Sequence, residues 1–113
     1  MAEGLYPKSR EVPRFALMAE ADVREVGGGS NRLHMRISEI SAHGCYVDTL
    51  NPLPLSTIVQ LYIDHNGVKC TLPGKVIYIH SGFGMGVMFG EMPADQRAIL
   101  DGWLAQLGAK TSE

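Results

Sequence analysis

Two arginines and one short polar turn are the residues of this chain with the most to offer a ligand. Arg10 and Arg14 bracket Glu11-Val12-Pro13, and 25 residues after Arg14 stands Glu39, which opens Glu39-Ile40-Ser41-Ala42-His43-Gly44. A guanidinium presents a planar fork of donors that suits phosphate oxygens and base edges. A carboxylate accepts from the N1–H and N2–H₂ donors of a guanine edge. Serine and glycine at the E-x-S-x-x-G spacing fit a tight turn whose backbone a ligand can approach. Together, R-x-x-x-R and E-x-S-x-x-G have the chemistry to hold a guanine nucleotide.

Pro13 narrows the geometry of the first cluster. It biases Val12 away from the helical region and toward an extended one, so Arg10 and Arg14 stand roughly 13 Å apart at about 3.3 Å per residue. That separation suits a ligand with two phosphates better than one with a single anion. Lys8 and Ser9, just before Arg10, are further candidates if the arm folds over a ligand, and solvated arm residues otherwise. His43, inside the turn, is a candidate for stacking on a base or bonding a phosphate, against the alternative of an exposed turn residue. Ser41 lacks the G-x-S-x-G elbow of a nucleophile, which leaves hydrogen bonding as its role. Met85 and Met88 are ligand candidates weaker than their reading as barrel filler, and Trp103 reads as packing. His34, His65 and His80 lack metal-ligand spacing, so no metal site is expected.

The elements that must position these residues are mostly strands. Residues 1–13 have no apolar period and read as a flexible arm, ahead of a barrel domain over residues 14–108. Phe15, Leu17, Ala19, Ala21 and Val23 alternate with mostly polar neighbours, which predicts a half-buried strand ended by the glycine turn at 27–31. Leu33, Met35 and Ile37 alternate with His34, Arg36 and Ser38, giving a second strand that delivers Glu39 and Ser41 at its end. A short strand over 45–49 follows, then strands over about 57–63 and 68–79 joined by Asp64-His65-Asn66-Gly67, where Asn-Gly is a hairpin signal. Met85, Val87 and Phe89 mark a last strand. Pro93 opens a helix over about 93–107, with Ile99, Leu100, Trp103, Leu104 and Leu107 as its apolar stripe and Gly108 as its stop. Six short strands and one amphipathic helix predict a small, mainly all-β domain: a six-stranded antiparallel barrel with the C-terminal helix packed on it.

Composition excludes several function classes. At 113 residues the chain has room for one modest core. A formal net charge of −2 and a pI near 6.1 lack the basic excess of a general DNA or RNA binder. The two cysteines, Cys45 and Cys70, fall in alternating apolar runs and read as core thiols in a reducing compartment. No apolar run approaches the ~20 residues of a membrane span. A cytoplasmic protein without membrane insertion is expected.

On the two clusters, the alternating strands and the stretch Gly84-Met85-Gly86-Val87-Met88-Phe89 before the helix, residues 6–107 resemble the PilZ domain family, the bacterial receptor module for cyclic di-GMP. The family motif is R-x-x-x-R with [D/N]-x-S-x-x-G. Arg10, Arg14, Ser41 and Gly44 match it, while Glu39 stands where the family has Asp or Asn and carries its acceptor one methylene further from the backbone. The resemblance implies a non-enzymatic domain with no cofactor, whose ligand is cyclic di-GMP. It implies that Arg10 and Arg14 contact phosphates and the O6/N7 edge of guanine, that Glu39 reads the Watson–Crick edge, and that Ser41 and Gly44 complete the site. Output then passes to a protein effector in motility, pilus or exopolysaccharide control. The alternative is an interaction adaptor on the same barrel that does not bind the nucleotide.

Overall fold

Alternation of apolar and polar residues builds six strands: β1 (Arg14–Glu25), β2 (Arg32–Ser41), β3 (Gly44–Asp48), β4 (Ile58–His65), β5 (Val68–His80) and β6 (Gly84–Phe89). One helix, α1 (Ala94–Thr111), follows. The computed structural model describes residues 12–29 and 31–111. Val12 and Pro13 of the expected arm lie within that range, whereas Lys8, Ser9 and Arg10 lie outside the described residues. All strand pairings are antiparallel, and the strands close in the order β1-β2-β3-β6-β5-β4, with β1 against β4 completing the ring. This is the six-stranded barrel that the strand count and turn spacing predict.

The barrel interior is aliphatic. Leu61, Leu72, Ile37, Ile40, Val47 and Met85 are all fully buried, and each such side chain contributes about 1.5–3 kcal/mol through its removal from water. The β4–β5 hairpin is the most regular part of this wall, with an unbroken register from Ile58↔Lys75 to His65↔Val68. Its loop is Asn66-Gly67, with φ of 55° and 81°, the left-handed pair of a type I′ turn. The Asp64 carboxylate accepts the Gly67 N–H at 3.1 Å and holds that turn.

Helix α1 covers an edge that the barrel leaves open. β6 pairs with β5 only from Gly74 onward, so among the described residues the first half of β5 has no strand on that side. Pro73 has no N–H to satisfy there, and the Thr71 N–H donates to Gln96 Oε1 at 2.7 Å. The Cys70 thiol donates to the Gln96 carbonyl at 3.5 Å, Leu100 and Trp103 are buried, and Trp103 meets the His65 ring edge-on at 5.5 Å. The helix does not stop at Gly108 but runs to Thr111. A helical glycine costs about 1 kcal/mol relative to alanine, and packing holds the turn: the neighbouring Leu107 sits against the core.

Candidate functional site

Regular alternation along β2 would turn Glu39 and Ser41 to the side of Ile37, into the core. It breaks just there. Ser38 and Glu39 together oppose Tyr46 of β3, between the pairs Ile37↔Val47 and Ile40↔Cys45. The extra residue keeps Ile40 in the core and releases Glu39 to the outer face, the usual work of a β-bulge beside a site. The register of β1 against β2 slips as well, between Ala16 and Ala19, beyond which Arg14 pairs with Ser41 and Ala16 with Glu39. A third irregularity on β5 sets Ile77 and Tyr78 together opposite Gly86, between Val76↔Val87 and Ile79↔Met85, with both side chains outward.

Residues at the β2 and β5 breaks line one cavity of about 440 Å³. Arg14, Glu39, Ser41, His43 and Gly44 all line it, so the structure brings these five candidates together. Arg14 Nη1 lies 3.5 Å from Glu39 Oε1, and both side chains are about half exposed. Such a pair is worth about 0–1 kcal/mol, so a ligand can displace it at little cost.

The turn has an internal construction of its own. Ser41 Oγ accepts the N–H groups of His43 and Gly44, each at 3.2 Å, and lies 3.3 Å from the Gly44 carbonyl, to which it donates. Its hydroxyl therefore shapes the turn that presents His43. Gly44 is needed for a close approach of strands: a Cβ there would sit 2.4 Å from the Val87 carbonyl oxygen of β6. Two tethers fix the turn from outside. The His43 carbonyl accepts the Phe89 N–H at 2.8 Å, and Arg97 of α1 donates to the Ala42 carbonyl at 3.2 Å.

Val12, Ile40, Ile77, Tyr78 and Met88 supply most of the rest of the wall. Tyr78 escapes a sequence reading because the β5 bulge alone sets it facing outward beside the site. Burial raises its phenol pKa, against a smaller lowering by Arg14. Met88 is half exposed on the outer face, while Met85 belongs to the core. Burial pushes the Cys45 thiol up to about 12 and the Cys70 thiol up to about 11, so neither is a thiolate nucleophile at neutral pH. The remaining histidines do not line the cavity: His34 bonds Glu20 and Asp22, His65 packs on Trp103, and His80 bonds Tyr46. Among the described residues no group of three or more His, Cys, Asp or Glu side chains could hold a metal ion, and no helix is long and apolar enough to cross a membrane.

A family model, the PilZ domain, matches residues 8–106. The chain belongs to the PilZ domain family. Its fold is similar to the PilZ domain of CeSA from a cellulose-synthesizing bacterium, at a TM-score of 0.64 and 21% identity over 80% of this chain and 97% of that one. It is also similar to the Bacillus subtilis inhibitor of motility, at a TM-score of 0.67 and 16% identity over 86% of this chain. This chain spans half the length of that protein. No curated protein matches it. At these identities the two structures speak for the PilZ fold, and the site rests on this chain's own residues.

Proposed function

We propose that this PilZ domain is a non-enzymatic bacterial receptor for cyclic di-GMP, acting in the cytoplasm and passing the nucleotide level to a protein effector in motility, pilus or exopolysaccharide control. One observation carries the reading: the Arg14 guanidinium, the Glu39 carboxylate and the Ser41–Gly44 turn converge on a single cavity whose other walls are apolar. Arg14 takes a phosphate and the O6/N7 edge of a guanine, and Glu39 takes the N1–H and N2–H₂ donors of a guanine edge. Val12 lines the cavity; on the R-x-x-x-R spacing, Arg10 is the second cation proposed for the clamp, with Lys8 and Ser9 as further candidate contacts. His43 stands in the turn as a further contact. A motility inhibitor and a domain from a cellulose-synthesizing bacterium among the similar folds fit an output of this kind.

Calorimetric titration of cyclic di-GMP, GTP, GMP and cyclic di-AMP into the purified chain tests the reading. Saturable binding of cyclic di-GMP in preference to the others is expected. Absence of heat and of competition up to high micromolar ligand overturns it in favour of an adaptor that does not bind the nucleotide. Glu39→Asp, which restores the family's shorter acceptor, is expected to bind as well as the parent or better.

A further inference from the structure

We propose that Tyr78 is the stacking floor for a purine base of the bound nucleotide, seated on Gly86 and braced by Tyr46 and His80. The inference rests on the nucleotide-binding reading of the cavity and assigns to it the residue that grips a base by its face. Arg14, Glu39 and the turn address anionic oxygens and base edges. A nucleotide also brings flat apolar rings into water, and its site gains from a surface to cover them.

The outer face of β6 is built to carry such a surface. Gly84 and Gly86 alternate with the buried Met85 and Val87, and both glycines are themselves covered. A Cβ on Gly86 would fall 2.2 Å from Tyr78 Cε2 and 2.4 Å from its Cζ, and one on Gly84 would fall 2.6 Å from the Tyr46 ring. The two rings thus occupy the space that side chains would fill, a known way for an aromatic to shield a strand glycine. Gly86 and Tyr78 both line the ligand cavity, and Tyr78 remains 38% exposed, so its ring has surface to offer. The ring is also held. Tyr46 and His80 stand 6.2 and 5.3 Å away between ring centres, and the Tyr46 hydroxyl bonds His80 Nδ1 at 3.0 Å. A braced ring loses little freedom when a base settles on it. The β5 bulge that turns Ile77 and Tyr78 outward together adds an apolar neighbour to the floor.

Calorimetry of cyclic di-GMP binding to the parent, Tyr78→Leu and Tyr78→Phe chains decides the matter, together with NMR of the parent's labelled tyrosine rings. Base-on-aromatic stacking predicts that Tyr78→Leu weakens binding about 5-fold to about 150-fold, while Tyr78→Phe stays close to the parent because the ring is kept. The Tyr78 ring protons are expected to move upfield at saturation. If Tyr78→Leu does not fold, the ring shift in the parent decides alone. Parent-like binding by Tyr78→Leu, equal losses in the two variants, or unmoved ring protons in a saturated parent would each overturn the stacking floor and leave the nucleotide reading intact. A parent chain that binds no cyclic di-GMP overturns the nucleotide reading and this inference with it.

Discussion

The β4–β5 hairpin and the β2–β3–β6 end of the same barrel follow opposite rules. In the hairpin the register is unbroken, the loop is a two-residue Asn-Gly turn, and inward residues such as Leu61 and Leu72 face each other in the core. At the other end two strand pairs slip register, glycines stand where strands or rings crowd together, and polar side chains gather around a cavity. One region is built for burial and the other for presentation. A strict two-residue period stabilises a wall, but it would also send Glu39 into that wall. The bulge is how a strand with an apolar face delivers a carboxylate to the surface.

The comparison breaks most sharply at Leu61. Leu61→Ala in the regular wall is expected to cost about 2–5 kcal/mol of stability, read by chemical denaturation, while the folded protein keeps the parent's affinity for cyclic di-GMP. A loss under about 1 kcal/mol, below the range for such core truncations, would mean that the hairpin is not the rigid half of the molecule.

The same contrast explains what could be read from the sequence. Strands, barrel and helix follow from alternation and turn chemistry, which act locally and leave their mark in neighbouring residues. Arg14, Glu39, Ser41 and Gly44 are legible because their types and spacing form a motif, His43 only because it lies inside their turn, and all five line one cavity. Tyr78 is not legible, because its exposure depends on a register slip against β6 that no local pattern encodes. The spacing points Gly44 and Ser41 toward a ligand, yet their visible contacts serve the approach of β6 and the shape of the turn. The helix outruns Gly108 because packing of Leu107 on the core outweighs a weak local stop signal.

At the presenting end, binding and stability should separate. Arg14→Ala is expected to reduce affinity for cyclic di-GMP about 10–150-fold, the equivalent of about 1.5–3 kcal/mol for a hydrogen bond to a charged group. Its effect on unfolding should stay within about 1 kcal/mol, because the pair with Glu39 is exposed. Parent-like affinity in calorimetry would remove Arg14 from the clamp.

Glycine at this end is a packing device, which Gly44 and Gly90 can test against each other. A Cβ at Gly44 would press into the Val87 carbonyl, whereas one at Gly90 would meet Pro73 at an ordinary 3.7 Å. Gly44→Ala is therefore expected to destabilise by about 1–3 kcal/mol, as overpacking does, and to weaken binding by displacing the turn. Gly90→Ala should change neither. Equal thermal shifts in the two variants would show that strand spacing near Val87 is not tight.

The smallest effect expected lies outside both regions, at His34, where strand pairing is regular but the chemistry is ionic. Asp22 and His34 face each other across β1 and β2, and the imidazole reaches Asp22 through Nδ1 at 2.9 Å and Glu20 through Nε2 at 2.6 Å. Two carboxylates can both accept from one ring only when both nitrogens carry hydrogen, so the charged form is favoured. The hydrogen bond to Asp22, followed by that to Glu20, raises the His34 pKa above its ordinary 6.5. A raised folded-state pKa stabilises the fold below the unfolded value, and that contribution is lost as pH rises through the folded one. The advantage of the parent over His34→Ala should accordingly be largest in mild acid below pH 6.5 and fade above the raised midpoint, with a small amplitude because the cluster is exposed. NMR titration of the ring reads the midpoint directly, and Asp22→Asn should bring it back toward 6.5. A parent midpoint at or below the ordinary value would mean that the two carboxylates do not act on the ring together in solution.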